Sequence, residues 1–304
     1  MMKFYFMILS IATMAGMLVI SGCKKKETYT VTFNANGGSG TMVEQTFTEG
    51  KAQALTQNAF TYDGYTFSCW NTVQDGRGNS YTDGQSLTVT TDMTLYAQWK
   101  IVPECVDLGL PSGTKWATFN VGATSPEEYG DYFAWGETVP KNYYSWGTYR
   151  YSKNGTDDDS RLTKYCSVSS YGNNGFTDAL TILEASDDAA IATWGSDWRI
   201  PTYDEMNELK NSCTIIWTTL NGVNGHLFTG PNGNSIFLPV AGVRYDSSLY
   251  GAGSEGYYWT SSLRSVYPDC AWFFGFDSGG CTVGVGIGSR YAGRSVRPVC
   301  TSQN

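Results

Sequence analysis

Small turn signals cut this chain into short pieces: Asn36-Gly37-Gly38, Asn221-Gly222, Asn224-Gly225, Asn232-Gly233 and Asp277-Ser278-Gly279-Gly280. The runs between them are brief and rich in β-branched and aromatic residues. That punctuation leaves no room for long helices and predicts strands joined by hairpins. With 35 Gly, 21 Tyr and 10 Trp in 304 residues, the expected class is α+β and strand-rich, with well under a quarter of the chain helical.

Glu27 to about Lys100 reads as one small module. Tyr29–Asn34 alternates like a strand, and further strands are expected at Gln45–Thr48, Thr66–Asn71, Ser86–Thr90 and Thr94–Trp99, with a turn or two of helix over Ala54–Phe60. The strings Val31-Thr32-Phe33-Asn34-Ala35-Asn36-Gly37-Gly38, Gly64-Tyr65-Thr66-Phe67, Trp70-Asn71 and Leu95-Tyr96-Ala97-Gln98-Trp99 resemble the internalin B repeat, also called the Listeria/Bacteroides repeat. The resemblance covers residues 29–100. It implies a compact β-grasp-like unit of surface proteins in which Phe33, Phe67, Trp70, Tyr96 and Trp99 are core.

After a linker at Ile101–Cys105, longer Gly- and Tyr-rich loops begin, and residues 101–304 read as a second domain. Thr202 can cap a helix that Glu205 completes as a capping box, with Met206 and Leu209 on one side. A second short helix is expected from Ser186, as cap, through Thr193, with Asp187 and Asp188 at its positive end and Gly195 after its stop. Beyond Trp217 the pattern is hairpins. Val106-Asp107-Leu108-Gly109-Leu110-Pro111-Ser112-Gly113-Thr114-Lys115-Trp116-Ala117-Thr118, then Trp198-Arg199-Ile200-Pro201-Thr202, Gly256-Tyr257-Tyr258-Trp259-Thr260-Ser261-Ser262 and Arg294-Ser295-Val296-Arg297-Pro298-Val299 are similar to the Fibrobacter succinogenes major paralogous domain. Phe119 departs from the cysteine that family often has. The resemblance implies a C-type lectin-like mixed α+β domain with long surface loops, and it makes Arg294 and Arg297 structural residues salt-bridged within the fold.

At the N-terminus an apolar run follows Lys3 and closes on Ile20-Ser21-Gly22-Cys23, the layout of a secretory signal. It resembles a bacterial lipobox. The resemblance implies a signal peptide over residues 1–22, acylation of Cys23 and a lipidated tether over residues 23–28. Acyl chains bury at ~0.8 kcal/mol per methylene, so several of them hold the membrane firmly. The expected location is the outer membrane of a Bacteroidota-type cell, displayed at the surface or facing the periplasm. The formal charge is −8; without Lys3 the side chains hold 19 basic against 28 acidic groups, or −9. Nucleic acid is not an expected partner for that balance.

Eight cysteines in an oxidising compartment read as a disulfide framework. With Cys23 lipidated and Cys69 alone in the first module, as a buried odd thiol, the candidates are Cys105, Cys166, Cys213, Cys270, Cys281 and Cys300. Cys105 and Cys300, at the two ends of the second module, form one conceivable closing pair; the other pairings stay open. Cys270 with Cys281 is disfavoured, because a turn at 277–280 sets Cys281 opposite Phe276 and Cys270 opposite Ile287.

Catalysis finds little to work with. His226 is the one histidine, placed by its neighbours in a hairpin, which is a poor setting for a nucleophile–base pair. Resemblance to formylglycine-generating relatives would let Cys270, Cys281 or Cys300 react, but structural bridges account for them more simply. No cofactor is expected. Calcium is the weaker option: Gly230-Pro231-Asn232 and Tyr267-Pro268-Asp269 lack one side-chain oxygen of a lectin tripeptide, and Asp157-Asp158-Asp159 reads as a solvated loop. Recognition loops are better supplied, since Tyr and Trp present flat faces with a polar handle and Ser, Asn and Gly adapt around them. Two crowded segments qualify, one with Tyr143, Tyr144, Trp146, Tyr149 and Tyr151, the other with Tyr245, Asp246, Tyr250, Tyr257 and Tyr258. Resemblance to variable-loop members of the lectin-like fold adds Arg264, Tyr267, Trp272, Asp277, Arg290 and Tyr291 near one end. The expectation is a non-enzymatic envelope lipoprotein binding a glycan or protein ligand. A structural or fimbria-associated component is the first alternative, and a glycan-active enzyme the second.

Overall fold

The computed structural model describes residues 26–153, 161–283 and 288–300, with the backbone alone for residues 281–283. The signal peptide, Cys23 and Asp157-Asp158-Asp159 lie outside the described residues. The chain divides into two compact units, one ending at Lys100 and the other starting at Ile101.

The first unit holds β1 (Thr28–Asn34), β2 (Gln45–Thr48), β3 (Gln53–Ala54), β4 (Tyr65–Asn71), β5 (Ser80–Tyr81), β6 (Ser86–Leu87) and β7 (Met93–Ile101). Five of them form one sheet in the order β2-β1-β7-β4-β5, with β3 and β6 as a separate pair. The first and last strands lie parallel in its middle, Phe33 level with Leu95. Alternation then sorts the side chains: Val31 and Phe33 on β1 and Leu95 and Ala97 on β7 are buried together around Trp70. Tyr96, one step out of phase, takes the opposite face and is only half-buried, so it is not part of that core. Residues 55–60 form no helix; Leu55 and Phe60 plug the core from irregular chain instead. Gly38 cannot carry a side chain, because a Cβ there would stand 2.6 Å from the Trp99 ring and 2.8 Å from the Thr61 carbonyl. Cys69 is half-exposed rather than buried, and its thiol is free.

The second unit contains β8 (Cys105–Asp107), β9 (Lys115–Ala117), α1 (Ala189–Trp194), β10 (Trp198–Arg199), α2 (Tyr203–Ser212), β11 (Thr214–Leu220), β12 (Val223–Thr229) and β13 (Ser235–Pro239). After them come β14 (Val243–Tyr245), β15 (Ser248–Tyr250), β16 (Glu255–Leu263), β17 (Cys270–Asp277), β18 (Gly280–Val283), β19 (Gly288–Ser289) and β20 (Val299–Cys300). The strands β10-β20-β9-β8 bring the two ends of the unit together, and Cys105 is bonded to Cys300. Cys166, Cys213 and Cys270 are free thiols, so the framework of bridges expected for them is absent. The side chain of Cys281 is not described, but its backbone faces Phe276 as the turn requires. Cys270 faces Ser289 rather than Ile287, because the returning chain is two residues longer between β18 and β19 than a plain hairpin.

The ribbon of β16 and β17 separates two cores by the same period of two. Trp259 and its partner Phe273 face one, with Trp135, Tyr165 and Trp198; Tyr258 and its partner Phe274 face the other, with Leu209, Phe228 and Leu238. Helix α2 starts at the capping box, Thr202 accepting from the Glu205 amide, and buries Met206 and Leu209. Helix α1 starts later than expected: Asp188 rather than Ser186 is the cap, accepting from the Ala190 and Ile191 amides and, across the chain, from Ile200. Asn221-Gly222 turns β11 into β12 with φ 49° and 84°. Asn224-Gly225 makes no turn and lies inside β12, where Gly225 is needed because a Cβ would meet the Leu238 carbonyl and the Phe237 ring. His226 is likewise a buried strand residue, its Nε2 bonded to the Asp277 carbonyl at 2.8 Å.

Candidate functional site

Loop 140–144 and the β14–β15 hairpin are tied to each other and enclose a cavity of about 540 Å³. The tie is a reciprocal pair of backbone bonds between Tyr144 and Asp246, both 2.9 Å, and the hairpin is held from behind by a second pair between Arg244 and Gly293, 2.8 and 2.9 Å. Asp246 takes φ 51° at the hairpin tip, a conformation Asp tolerates. Arg244, Lys141, Asn142, Ser247, Asp131 and Tyr144 contribute to the lining.

The aromatic floor is fixed by its hydroxyls. Tyr132 donates to the Ala241 carbonyl at 2.5 Å, and Tyr144 donates to the Tyr132 carbonyl at 2.6 Å. Both phenols are buried, and burial pushes Tyr132 up to about 12, so neither ionises near neutrality. The Arg244 guanidinium lies over the Tyr132 ring, 4.8 Å from its centroid, and is half-buried. Lys141 donates to Glu137 at 2.8 Å and to the Thr148 carbonyl at 3.0 Å. Burial lowers its pKa, opposed by the Glu137 contact.

The expected binding residues do not form one site. Tyr144, Trp146, Tyr149 and Tyr151 are core, and of that segment only Tyr143 is well exposed, at 49%. A file of rings runs outward from Trp146 to Tyr291 (5.0 Å), Tyr245 (6.1 Å) and Tyr250 (6.2 Å), ending 54% exposed at Tyr250. Tyr245 and Arg244 are successive strand residues, so one joins this file while the other faces the cavity. Arg264 sits between the rings of Tyr267 and Trp272, at 5.0 and 5.3 Å, as a separate surface patch. Asp277 lies at the far end of β17 from that patch, its carboxylate accepting from the Gly279 amide in the turn. Arg290 is fully buried and donates to the carbonyls of Lys164, Tyr165 and Pro268 and to the Tyr149 hydroxyl, so it is structural.

Arg294 and Arg297 are buried as expected, but neither forms a salt bridge among the described residues. Arg297 donates to Asn120 and to the carbonyls of Ala117, Thr118 and Phe237. Burial pulls its pKa to about 10, still protonated at neutral pH. Arg294 is packed 4.3 Å over the Trp259 ring and 4.4 Å over Phe273, with one long contact to the Tyr245 hydroxyl. The sequence reading missed Arg244, Lys141, Asn142 and Ser247. A run of polar residues beside turn signals was the available clue, but it is common to most surface loops.

The buried carboxylate Asp187 in the second unit is engaged internally. Glu184 and Asp187 share Lys164 at 2.5 and 2.6 Å. Burial works to raise Asp187, and the lysine and tyrosine donors outweigh it and hold it low. That is the reverse of what a general acid needs. Burial pushes the Cys270 thiol to about 12 and Cys213 to about 11, far from thiolates at neutral pH. Among the described residues no group of three His, Cys, Asp or Glu could hold a metal ion. Asn232 spends its amide on the Asp107 carbonyl and its oxygen on the Asn234 amide. Among the described residues no helix is long and apolar enough to cross a membrane.

Residues 29–98 match the Listeria-Bacteroides repeat domain family. The chain is 38% identical over 77 residues, 24% of its length, to a protein of Evansella cellulosilytica named "Putative Gly-rich membrane protein". It spans only 9% of that relative's length. No solved structure matches the chain.

Proposed function

We propose that this chain is a cell-envelope lipoprotein, anchored through Cys23, whose second unit is a non-catalytic glycan-binding domain of the C-type lectin-like kind. The Listeria-Bacteroides repeat at residues 29–98 and the membrane-protein name of its relative support the envelope placement. The central parallel strands β1 and β7 support a β-grasp-like first unit, and the lipobox resemblance supports anchorage in the membrane. The observation that carries the binding reading is the cavity itself. It has an aromatic floor fixed by its hydroxyls and a rim of Asn142, Ser247 and Arg244, whose side chains make no hydrogen bond among the described residues. Sites for small polar ligands combine a preformed concavity with a few convergent polar groups in this way.

The test is a glycan array probed with the full lipidated chain in detergent. Binding to a defined set of sugars, weakened by Arg244→Ala and by Asn142→Ala and unchanged by a chelator, is the expected result. Recovery of an envelope protein in stoichiometric complex, with no sugar retained, would instead identify a structural or fimbria-associated component.

A further inference from the structure

We infer that the Arg244 cavity is a subsite for an acidic sugar, the anionic group seated on the Arg244 guanidinium and the hydroxyls on its neighbours. The inference rests on the glycan-binding reading and narrows it to a chemical class. Its starting point is the difference between Arg244 and the other arginines around it. Arg199 is paired with Glu205 by two bonds, at 2.7 and 2.5 Å. Arg290 and Arg297 are saturated with carbonyl acceptors. Arg294 is sealed at 2% exposure. Arg244 alone among these opens on a cavity, and among the described residues its side chain has neither a hydrogen bond nor an ion pair.

Its side chain lies over the face of Tyr132. A guanidinium held over a ring face makes that contact without using its N–H donors, and those donors suit a carboxylate or sulfate bidentately. The second cation of the lining is already balanced, since Lys141 is bonded to Glu137. Arg244 is therefore the cation of the lining without an ion pair among the described residues. Asp131 on the opposite account pairs with neither cation and offers acceptors to hydroxyl groups, as Asn142 and Ser247 offer both donors and acceptors. One anion and several hydroxyls on a ring is the description of a uronic acid or a sulfated hexose. The volume of about 540 Å³ falls within the range of small-molecule sites, about 300–1,000 Å³. The paired backbone bonds at Tyr144–Asp246 and Arg244–Gly293 fix the hairpin before a ligand arrives, which lowers the ordering cost of binding.

The experiment titrates the full chain with trigalacturonic acid, its methyl ester, a sulfated galactose oligomer and a neutral galactose oligomer. The acid is expected to bind about 10- to 100-fold more tightly than its ester, and Arg244→Gln should reduce acid affinity to that of the ester. Arg244→Lys keeps the charge without the fork and should fall between them. Unchanged thermal transitions of both variants show that the fold is intact. Preference for the sulfated probe over the acid supports the same subsite with sulfate as the anion. Equal binding of acid, ester and neutral oligomer, indifferent to Arg244→Gln, overturns the inference and leaves the glycan reading standing. Failure of every sugar on the array and in solution overturns both.

Discussion

Trp70 in the first unit and Trp259 in the second are both sealed from solvent, at 0% and 1%, but their indole N–H groups meet different fates. Trp70 Nε1 has no acceptor and the ring serves as hydrocarbon, against Phe33 and Phe67 at 4.9 Å each. Trp259 Nε1 donates to the Phe133 carbonyl at 2.7 Å, and Trp135 Nε1 to the Thr260 carbonyl at 2.8 Å. The first unit has the larger share of its residues in strands, whose ladders satisfy much of its own peptide backbone, so its ring core is largely apolar. In the second, long stretches such as residues 118–145 lie outside the strands and pair only at single bridges such as Phe133–Arg294 and Tyr144–Asp246, so many buried carbonyls must be satisfied by something else. Tyr132, Tyr144, Tyr149, Tyr258, Arg290 and Arg297 all reach a main-chain oxygen. Its richness in aromatic and guanidinium groups is thus, in large part, a supply of donors to irregular backbone, and only what is left over, as at Arg244, is available for a ligand.

Four measurements test that contrast. Arg297→Met should be the most damaging, leaving the Asn120 amide oxygen and three carbonyls short of a donor; a loss of about 4 kcal/mol or more is expected in the second unit. Hydrogen exchange should show the first unit's amides unaffected, and equal loosening of both would break the comparison. Opening the Cys105–Cys300 bridge by Cys105→Ser releases a loop closed over 195 residues and should cost about 3 kcal/mol, read by denaturant titration. Trp259→Phe should cost about 1–1.5 kcal/mol more than Trp70→Phe, because only the former loses a buried hydrogen bond, while the Phe133 carbonyl keeps the Arg294 amide as a donor. Equal penalties would show that ring packing alone matters in both.

The smallest effect, about 1 kcal/mol, is expected for Glu205→Gln, which keeps the capping box and removes the charge paired with Arg199. Burial alone would raise the Glu205 pKa, but Arg199 and the Thr202 amide outweigh it and hold the group below its ordinary value. The folded pKa is therefore the lower one. The stabilisation is present above the unfolded carboxylate range near about 4.3 and is lost as pH falls through the folded value. Stability curves of the wild type and Glu205→Gln should accordingly converge in acid.

Features written in a few adjacent residues were legible in the sequence. Thr202 and Glu205 satisfy each other within one turn, and Asn221-Gly222 carries its own positive-φ geometry, so both were found. Asn224-Gly225 has the same letters and a different cause: Gly225 answers to Phe237 and Leu238 on the neighbouring strand, which no local rule records. The crowd from Tyr143 to Tyr151 was read as recognition surface because composition does not reveal where a hydroxyl finds its acceptor, and Tyr149 finds Trp135, fourteen residues away. Arg244 was invisible for a complementary reason. What distinguishes it is a missing partner, a property that exists only once every neighbour has been placed.

The bond between Cys105 and Cys300 has a mechanical side as well. Tension applied to the chain across these two residues passes through a covalent link and bypasses the two cores and the cavity between them and the solvent. Strands β8, β9 and β20, which a pull on the unit's ends would otherwise shear or unzip, carry none of that load. A pull on Cys105 and Cys300 therefore unravels nothing of the second unit between them until that bond is broken.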